Sequence, residues 1–420
     1  MSSNHRISRK QLAALRKLLR QGDPREVRHG LALMEALEDT EFLDWFSAGV
    51  EVDPAGEIVV DRASEVHRRV RPMFRQEVAL WALWRTGKLA DVAALRVPGP
   101  CVFSDLDVLH AVSDLKLLVV GARAGAMSLD GLRACTRLER LRLATDDADL
   151  TPLRACVALR DLLLDVNGLL SDLSVLENCR ELRTLHVHAP NLQSLHGLGT
   201  CTQLEQFESG DCASLVSLEG LEGCVSLRAL ELRSCRSLSD ISALYALEHL
   251  ESLDMSECPR LADLGAFASL VHLKTLRVFG TVGVMNLDAL ASLSSLEHLS
   301  LSYWRGFHDL SGVSRFRTLR RLDLTMCDAI ESLLGLEGCP SIESVTLRSM
   351  NELTDISALT ELPKLRTVVL EKCHALMDIR CLTRCPSLES VTIKVCFGLS
   401  HHGVCEGDAL TDLLRELAAP

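Results

Sequence analysis

The sequence predicts an α/β solenoid, in which a short repeated segment stacks upon itself to form a curved parallel β-sheet. Three observations support this prediction. A pattern of apolar residues recurs along most of the chain, hydrophobic residues make up 47% of the composition although aromatic residues make up only 4%, and residues 1–91 lie outside the pattern. An interior built mainly of leucine, alanine, valine and cysteine suits thin stacked layers better than a thick core.

Each repeat begins with the pattern apolar-x-x-apolar-x-apolar. Its first position is occupied in turn by Val92, Leu115, Leu138, Leu159, Leu182, Leu204, Leu227, Leu250, Leu273, Leu296, Leu319, Ile342, Leu365 and Leu388. From Leu204 onward, consecutive first positions are 23 residues apart. Fourteen repeats with so regular a spacing indicate one stacked array rather than several ordinary domains.

Two hydrophobic periods occur within a repeat when its residues are numbered from the first apolar position. Positions 4 and 6 alternate with polar neighbours, which predicts a short strand with one buried face. Apolar residues at positions 12, 15, 18 and 21 predict a 3₁₀ or irregular helical return. Stacking then places the strands on a concave face and the returns on a convex face, with positions 3, 5 and 7 pointing outward.

Residues 1–91 predict a mainly α-helical module that caps the first repeat. Ser8 and Gln11 form a capping box for a first helix, and Asp23 followed by Pro24 marks the start of a second. A short helix is predicted at residues 42–46 and a brief strand at residues 57–60. A last helix is predicted to end at Gly87.

The repeats are expected to fill residues 92–406, and a closing helix is expected at residues 407–420. Its apolar residues fall on one face, so that they would seal the last repeat; they are Leu410, Leu413, Leu414 and Leu417.

The repeat resembles that of the leucine-rich-repeat family, whose members share L-x-x-L-x-L-x-x-N/C followed by a variable return. The segments SDISAL at residues 239–244 and TDISAL at residues 354–359 resemble the short internalin-like subclass. The 23-residue repeats with cysteine at position 9 are also similar to arrays common in bacteria and kinetoplastids. The resemblance covers residue 92 to about residue 400, and it implies an interaction role without identifying a partner.

Thirteen of the sixteen cysteines stand at two positions of the repeat, and the other three are Cys101, Cys381 and Cys405. Six stand at position 9, namely Cys212, Cys235, Cys258, Cys327, Cys373 and Cys396. Seven stand at the last apolar position, namely Cys135, Cys156, Cys179, Cys201, Cys224, Cys339 and Cys385. Other repeats carry Leu, Phe or Asn at these positions. This placement predicts reduced core thiols and a cytoplasmic protein rather than a disulfide framework.

Residues 1–11 contain no apolar leader segment, and neither secretion nor membrane insertion is expected.

One cluster could suggest a zinc site, because thiolates and imidazoles are the ligands that zinc prefers. It consists of Cys396, His401, His402 and Cys405, but both cysteines already have places in the repeat and the spacing matches no closed structural site. We therefore expect no metal.

The sequence also contains no phosphate-binding glycine loop, nucleophile elbow or metalloprotease helix, so neither a cofactor nor an enzymatic activity is expected.

The candidate binding residues are outward strand positions of the middle repeats. Glu208, Glu231 and Asp254 occupy position 5 of three consecutive repeats, which predicts an acidic patch. Beside them, Thr281 and Trp304 replace the position-9 cysteine. Aromatic and arginine side chains dominate binding energetics, so the predicted partner-binding set is Glu208, Glu231, Arg233, Asp254, Arg277, Phe279, Tyr303, Trp304 and Arg305. An alternative places Trp304 inward, in the slot of the cysteine it replaces.

Three outward positions nearer the start of the array are apolar, namely Leu117, Val119 and Leu163. Either the N-terminal module or a partner is expected to cover them.

Charge and composition favour a protein as the partner. The formal net charge is −12, and residues 1–91 carry 15 basic and 14 acidic side chains, so the acidic excess lies in the repeats. A partner with a basic surface is expected, without direct nucleic-acid binding and without a small-molecule substrate. The leading hypothesis is a non-catalytic scaffold that binds a macromolecule on the concave face. The alternatives are a structural subunit or spacer of a cytoskeletal or ribonucleoprotein assembly, and a regulatory sensor or inhibitor of an enzyme on another chain.

Overall fold

A short strand lies in each of the fourteen predicted repeats. The structure is a computed structural model that describes residues 9–20, 23–35, 40–64, 66, 70, 75–97, 106–112, 114–121, 128–145, 149–168, 170–261, 263–279, 287, 290–304, 306, 308–399 and 403–418. The chain divides into two units, Met1–Ala189 and Pro190–Pro420. This division falls inside the predicted array 92–406, and the domain boundaries predicted at residues 91 and 406 stay predictions.

The described residues of the first unit begin with four helices that have assigned bounds and with a hairpin. Helices α1 to α4 span Arg9–Leu19, Pro24–Glu35, Thr40–Phe46 and Arg75–Arg85, and strands β1 and β2 span Val50–Val52 and Ile58–Val60. The predicted start of α2 is confirmed, because Oδ1 of Asp23 accepts the backbone N–H of Arg25 at 2.8 Å. Strand β1, which pairs antiparallel with β2, was not predicted. Helix α4 packs against β2 and buries Trp81.

Five repeats follow in the first unit. Their parallel strands β3 to β7 span Ala94–Val97, Leu117–Val120, Arg140–Thr145, Asp161–Val166 and Thr184–His188. The predicted 3₁₀ returns are present at Asp107–Ala111, Asp130–Ala134, Thr151–Ala155 and Ser174–Leu176.

The second unit carries the other nine repeats. Parallel strands β8 to β16 span Gln206–Gly210, Ala229–Arg233, Ser252–Met255, Thr275–Phe279, His298–Ser302, Arg321–Thr325, Ser344–Arg348, Thr367–Glu371 and Ser390–Lys394. Among their described returns, 3₁₀ helices lie at Ser242–Ala246, Gly265–Ser269, Val313–Arg315, Ser357–Glu361 and Arg380–Arg384, while the returns after β8 and β13 form turns. The 3₁₀ helix Leu198–Thr200 is the return of the repeat that carries β7.

The closing helix α5 spans Gly407–Ala418 and buries Leu410 and Leu413, as the apolar pattern predicts. The sequence did not predict strand β17, Gly403–Glu406, which pairs antiparallel with β16. Because an exposed strand edge offers unpaired backbone groups, β17 and α5 together cover the last repeat.

The edge of the first repeat strand is met by the β1–β2 hairpin. The carbonyl of Gly56, at the tip of this hairpin, accepts the backbone N–H of Arg96 at 2.8 Å. The guanidinium group of Arg96 also lies 3.1 Å from the carboxylate of Glu57. A Cβ at Gly56 would lie 2.9 Å from the backbone of Ala94 and Leu95, so only glycine allows this approach.

Aspartates cap the 3₁₀ returns. Oδ1 of Asp240 accepts the backbone N–H of Ser242 at 3.0 Å, and Oδ1 of Asp355 accepts that of Ser357 at 2.8 Å. Hydrogen bonds from the backbone and hydroxyl of Ser242 hold the pKa of Asp240 below its ordinary value. These aspartates belong to the SDISAL and TDISAL segments, so the internalin-like motif has a structural role as a cap.

Position 8 has a left-handed backbone in eight repeats of the second unit. Its φ angles lie between 52° and 62° at Asp211, Ser234, Glu257, Tyr303, Met326, Ser349, Lys372 and Val395. A residue other than glycine pays for this conformation with about 1–3 kcal/mol of strain, so neighbouring contacts must hold it. The turn directs the side chain at position 9 into the core.

Cysteine fills position 9 and donates its S–H to the preceding repeat. The Sγ atom of Cys258 lies 3.1 Å from the carbonyl of Leu232, and that of Cys373 lies 3.5 Å from the carbonyl of Leu347. No described cysteine forms a disulfide bond, and Cys101 lies outside the described residues. Burial raises the pKa of Cys373 to about 11. The cysteines therefore occupy the core slots that the repeat pattern predicts.

A ladder of alternating charges runs along position 2 of the second unit. It comprises Glu205, Arg228, Glu251, Lys274, Glu297, Arg320, Glu343, Arg366 and Glu389. Arg228 and Lys274 each lie 2.6 Å from the carboxylate of Glu251, and Arg366 lies 3.0 Å from that of Glu389. Because these ion pairs join neighbouring repeats at the surface, they favour one order of stacking more than they add stability.

The hairpin contact at Gly56 can be tested by comparison with Gly87. Both have a positive φ, +85° and +72°, but a Cβ at Gly87 would meet no atom within 4 Å. We expect Gly56→Ala to lower the free energy of unfolding by about 1–3 kcal/mol more than Gly87→Ala, because only the former adds overpacking to backbone strain. Urea unfolding followed by tryptophan fluorescence measures the difference, and equal losses would show that the turn is not held against β3.

The buried thiols predict a loss of stability at alkaline pH. Burial raises the pKa of Cys156 and Cys224 to about 12, whereas the ordinary thiol value is 9.0. Between these values the unfolded chain releases thiol protons that the folded chain retains, so the free energy of unfolding falls as the pH rises. We expect the melting temperature to fall between pH 8 and pH 10.5, and to fall less in the Cys156→Val, Cys224→Val variant. An identical slope in the variant would contradict this assignment.

Candidate functional site

The candidate site lies on the strand face of the second unit, which we define as the side bearing positions 3, 5 and 7 of its strands. Positions 4 and 6 are buried in β9 and β11, while the residues between them reach the surface. Strand register places Glu231 beside Asp254 and Asp254 beside Arg277. The predicted residues at position 5 therefore do lie next to one another.

The expected acidic patch is corrected by the structure. Arg233 lies 2.8 Å from the carboxylate of Glu231 and 3.1 Å from that of Asp254, and Arg277 lies 3.7 Å from the latter. Asp254 is only 2% exposed, and its carboxylate also accepts the backbone N–H of Ser256 at 3.0 Å. Two arginines thus balance two acids, since a buried carboxylate requires partners. Glu208 is exposed at the neighbouring position of β8.

Phe279 and Tyr303 form a stacked aromatic pair on this face. Their ring centroids are 4.6 Å apart and their planes meet at 27°. Tyr303 is 36% exposed and has the left-handed backbone of position 8, with a φ of 62°. Its backbone N–H donates to the carbonyl of Thr325 at 2.8 Å, which ties the turn to the next repeat. The two rings therefore present a rigid, partly exposed apolar surface beside the arginines.

Trp304 belongs to the core, which corrects its inclusion among the outward residues. The side chain is 2% exposed, and its Nε1–H donates to the carbonyl of Val278 at 3.5 Å. That carbonyl stands at the same repeat position as the carbonyl of Leu232, which accepts the thiol of Cys258. Trp304 thus fills the slot of the cysteine that it replaces. Thr281 and Arg305 lie outside the described residues, so their placement is not part of the site's geometry.

The sequence did not reveal a histidine–aspartate pair on the same face. Nε2 of His298, on β12, lies 2.8 Å from Oδ2 of Asp323, on β13. Burial opposes ionisation of Asp323, but hydrogen bonds from His298 and Thr346 outweigh it and hold the pKa of the carboxyl below its ordinary value. His298 stands at position 3 of its repeat and Asp323 at position 5 of the next repeat. Comparing position 3 of each repeat with position 5 of the following one could have identified this pair from the sequence.

The described ranges contain neither a metal-binding cluster nor a membrane-spanning helix. No group of three or more His, Cys, Asp or Glu residues there could hold a metal ion. Of the possible zinc cluster, His401 and His402 lie outside those ranges, and the buried Cys396 donates to the carbonyl of Leu370 at 3.6 Å. Among the described helices, none has the length and apolar character needed to span a bilayer.

Comparisons with known proteins found similar repeat proteins. The model of the leucine-rich-repeat domain of the endo-β-N-acetylglucosaminidase EndoS matches residues 175–267. An internalin of Listeria monocytogenes, InlF, is 20% identical with a TM-score of 0.51, over 74% of this chain and 92% of that one. Internalin C2 of the same organism is 20% identical with a TM-score of 0.38, over 46% and 82%. A leucine-rich-repeat protein of Leptospira interrogans is 13% identical with a TM-score of 0.39, over 80% and 90%.

The fold and the repeat define the class of this chain. A search of curated proteins found no match. At 20% identity the likeness to InlF concerns the fold alone. The chain has the leucine-rich-repeat solenoid fold that the repeat pattern predicts, and residues 175–267 match a leucine-rich-repeat family model. More narrowly, its SDISAL and TDISAL segments are similar to the repeats of the internalin-like type.

The buried carboxylate of Asp254 can be separated from its exposed neighbour by mutation. We expect Asp254→Ala to lower the free energy of unfolding by about 1–3 kcal/mol, because the part-buried backbone N–H and hydroxyl of Ser256 lose their acceptor. Glu231→Ala is the matched control: it removes a partly exposed partner of the same Arg233, and a change of at most about 1 kcal/mol is expected. Urea unfolding monitored by circular dichroism compares them. Equal effects would show that Asp254 contributes no more than a surface ion pair.

Proposed function

We propose that this chain is a non-catalytic scaffold that binds a protein partner on the strand face of the second unit. The observation that carries the proposal is the stacked pair of Phe279 and Tyr303, which is partly exposed in a chain whose aromatic content is 4%. Aromatic side chains held in one conformation are effective anchors, since little side-chain entropy is lost when a partner packs against them.

The charges around the anchor indicate what the partner requires. Arg233 and Arg277 reach the surface, although each also contacts Asp254. Glu208 and Glu231 lie on the side away from the aromatic rings. A matching partner would place an apolar side chain on the rings and basic groups near the two glutamates, with polar groups of either sign between them.

The raised pKa of several described cysteines favours binding over catalysis. A thiol acts as a nucleophile when its pKa is low, whereas burial raises the pKa of Cys327 and Cys385 to about 11. The same thiols support the cytoplasm as the proposed location, because a reducing compartment keeps core thiols unmodified.

The anchor is tested by crosslinking and mass spectrometry of partners captured by the full-length chain. We expect the double variant Phe279→Ala, Tyr303→Ala to retain at most about one tenth of the partner that crosslinks to this face, the loss typical of a hot spot. The matched control is Phe397→Ala, because Phe397 is 77% exposed and also stacks on another ring, that of His374. Melting temperatures verify the fold of each variant.

Two results would contradict this assignment. Unchanged crosslinking in the double variant, or the same loss in Phe397→Ala, would remove the aromatic pair from the binding surface.

A further inference from the structure

A groove of about 400 Å³ opens on the strand face of the first unit, across strands β3 to β7. Its lining includes the three outward apolar residues, Leu117 and Val119 from β4 and Leu163 from β6. Arg140 and Arg142 enter from β5, between the two apolar strands. The groove thus alternates apolar, basic and apolar side chains across three adjacent strands.

The N-terminal module does not account for Leu163, the apolar residue of the groove on β6. Its hairpin reaches β3, where Gly56 and Glu57 contact Arg96. Leu163, three strands away, remains 38% exposed. The sequence left two candidates to cover the outward apolar residues, the N-terminal module and a partner. The module does not cover Leu163, so a partner is the remaining candidate. Covering such side chains removes apolar surface from water, which favours binding.

The charge of the groove is opposite to that of the chain. The chain has a formal net charge of −12, yet three arginines line this groove. Arg96 is paired with Glu57, but within the described ranges neither Arg140 nor Arg142 takes part in a salt bridge. Both are exposed, and Asp161 is the one acidic residue in the groove's described lining. A partner with carboxylates would complement these two guanidinium groups.

We propose that the groove binds an acidic peptide segment of a partner protein in an extended conformation. Aliphatic side chains of the segment pack on Leu117, Val119 and Leu163, and its carboxylates pair with Arg140 and Arg142. Neighbouring strands are about 4.8 Å apart, so an extended segment of roughly four residues crosses from β4 to β6. No Phe, Tyr or Trp lies among the described lining residues, so bases of a nucleic acid would find no such ring to stack on.

This inference concerns a surface separate from Phe279 and Tyr303, and it does not depend on the function proposed for them. The probe is a fluorescein-labelled eight-residue peptide that alternates Glu and Leu, titrated with the full-length chain and followed by fluorescence anisotropy. Comparison probes are a peptide alternating Lys and Leu, a peptide alternating Glu and Ser, and an oligodeoxythymidylate of the same charge as the Glu–Leu peptide. We expect saturable binding of the Glu–Leu peptide, at least tenfold weaker binding of each comparison probe, and weakening by salt.

Matched variants locate the bound peptide. We expect Arg140→Glu to weaken binding of the Glu–Leu peptide at least tenfold, while Arg321→Glu, at the same repeat position on β13, leaves it unchanged. Leu163→Ser should weaken it about fivefold, the size of an apolar contact worth about 1 kcal/mol. Val369→Ser is its control, at the same repeat position on β15. Circular dichroism melting establishes that each variant is folded.

Several outcomes would overturn the proposal. They are an absence of binding by the Glu–Leu peptide, equal affinity for the Glu–Ser peptide or the oligonucleotide, and equal losses in the groove variants and their controls. If Arg140→Glu does not fold, Leu163→Ser and the comparison of probes decide the question. Phe279→Ala, which probes the other surface, is expected to leave peptide binding unchanged, so the two proposals can fail separately.

Discussion

The backbone hydrogen bonds between equivalent positions of neighbouring repeats are the interaction on which the other features depend. The N–H of Arg228 donates to the carbonyl of Glu205 at 2.8 Å, and the same bond joins Lys274 to Glu251. These bonds fix which residue stands beside which, and the buried leucines at positions 4 and 6 prevent slippage because a shift of one residue would turn them outward. Every cluster on the strand face, whether ionic or aromatic, is a product of this lateral register.

The repeat explains how much of the fold the sequence could predict. A strict apolar spacing was enough to place fourteen strands and the described 3₁₀ returns, and the cap residue Asp23 placed the start of α2. Ser8, the cap residue expected for α1, lies outside the described residues. The apolar spacing could not predict β1 or β17. Each is a short strand that forms by pairing with another strand, β2 or β16, and carries no pattern of its own. In the site, alternation identifies the face of a residue but not its neighbours. Asp254 was therefore taken for an exposed acid, although two arginines and a serine surround it.

Trp304 illustrates the second limit of sequence reasoning. Its place in the repeat was correctly identified, yet a large aromatic residue in place of a small thiol suggests a surface anchor as readily as a core residue. The structure resolves the choice because the indole N–H and the cysteine S–H both donate to the carbonyl at position 6 of the preceding repeat. Burial of Trp304 leaves Phe279 and Tyr303 as the aromatic surface, held by the left-handed turn that also directs Trp304 inward.

The alternating charges at position 2 bear on how this array could change in length. Loss or duplication of a single repeat in the second unit would bring two residues of like charge side by side, whereas a change of two repeats would keep every neighbour opposite in sign. Like charges at adjacent strand positions are unfavourable. The pair of repeats, about 46 residues long by the 23-residue spacing, is thus the unit by which the ladder can grow or shrink without a mismatch.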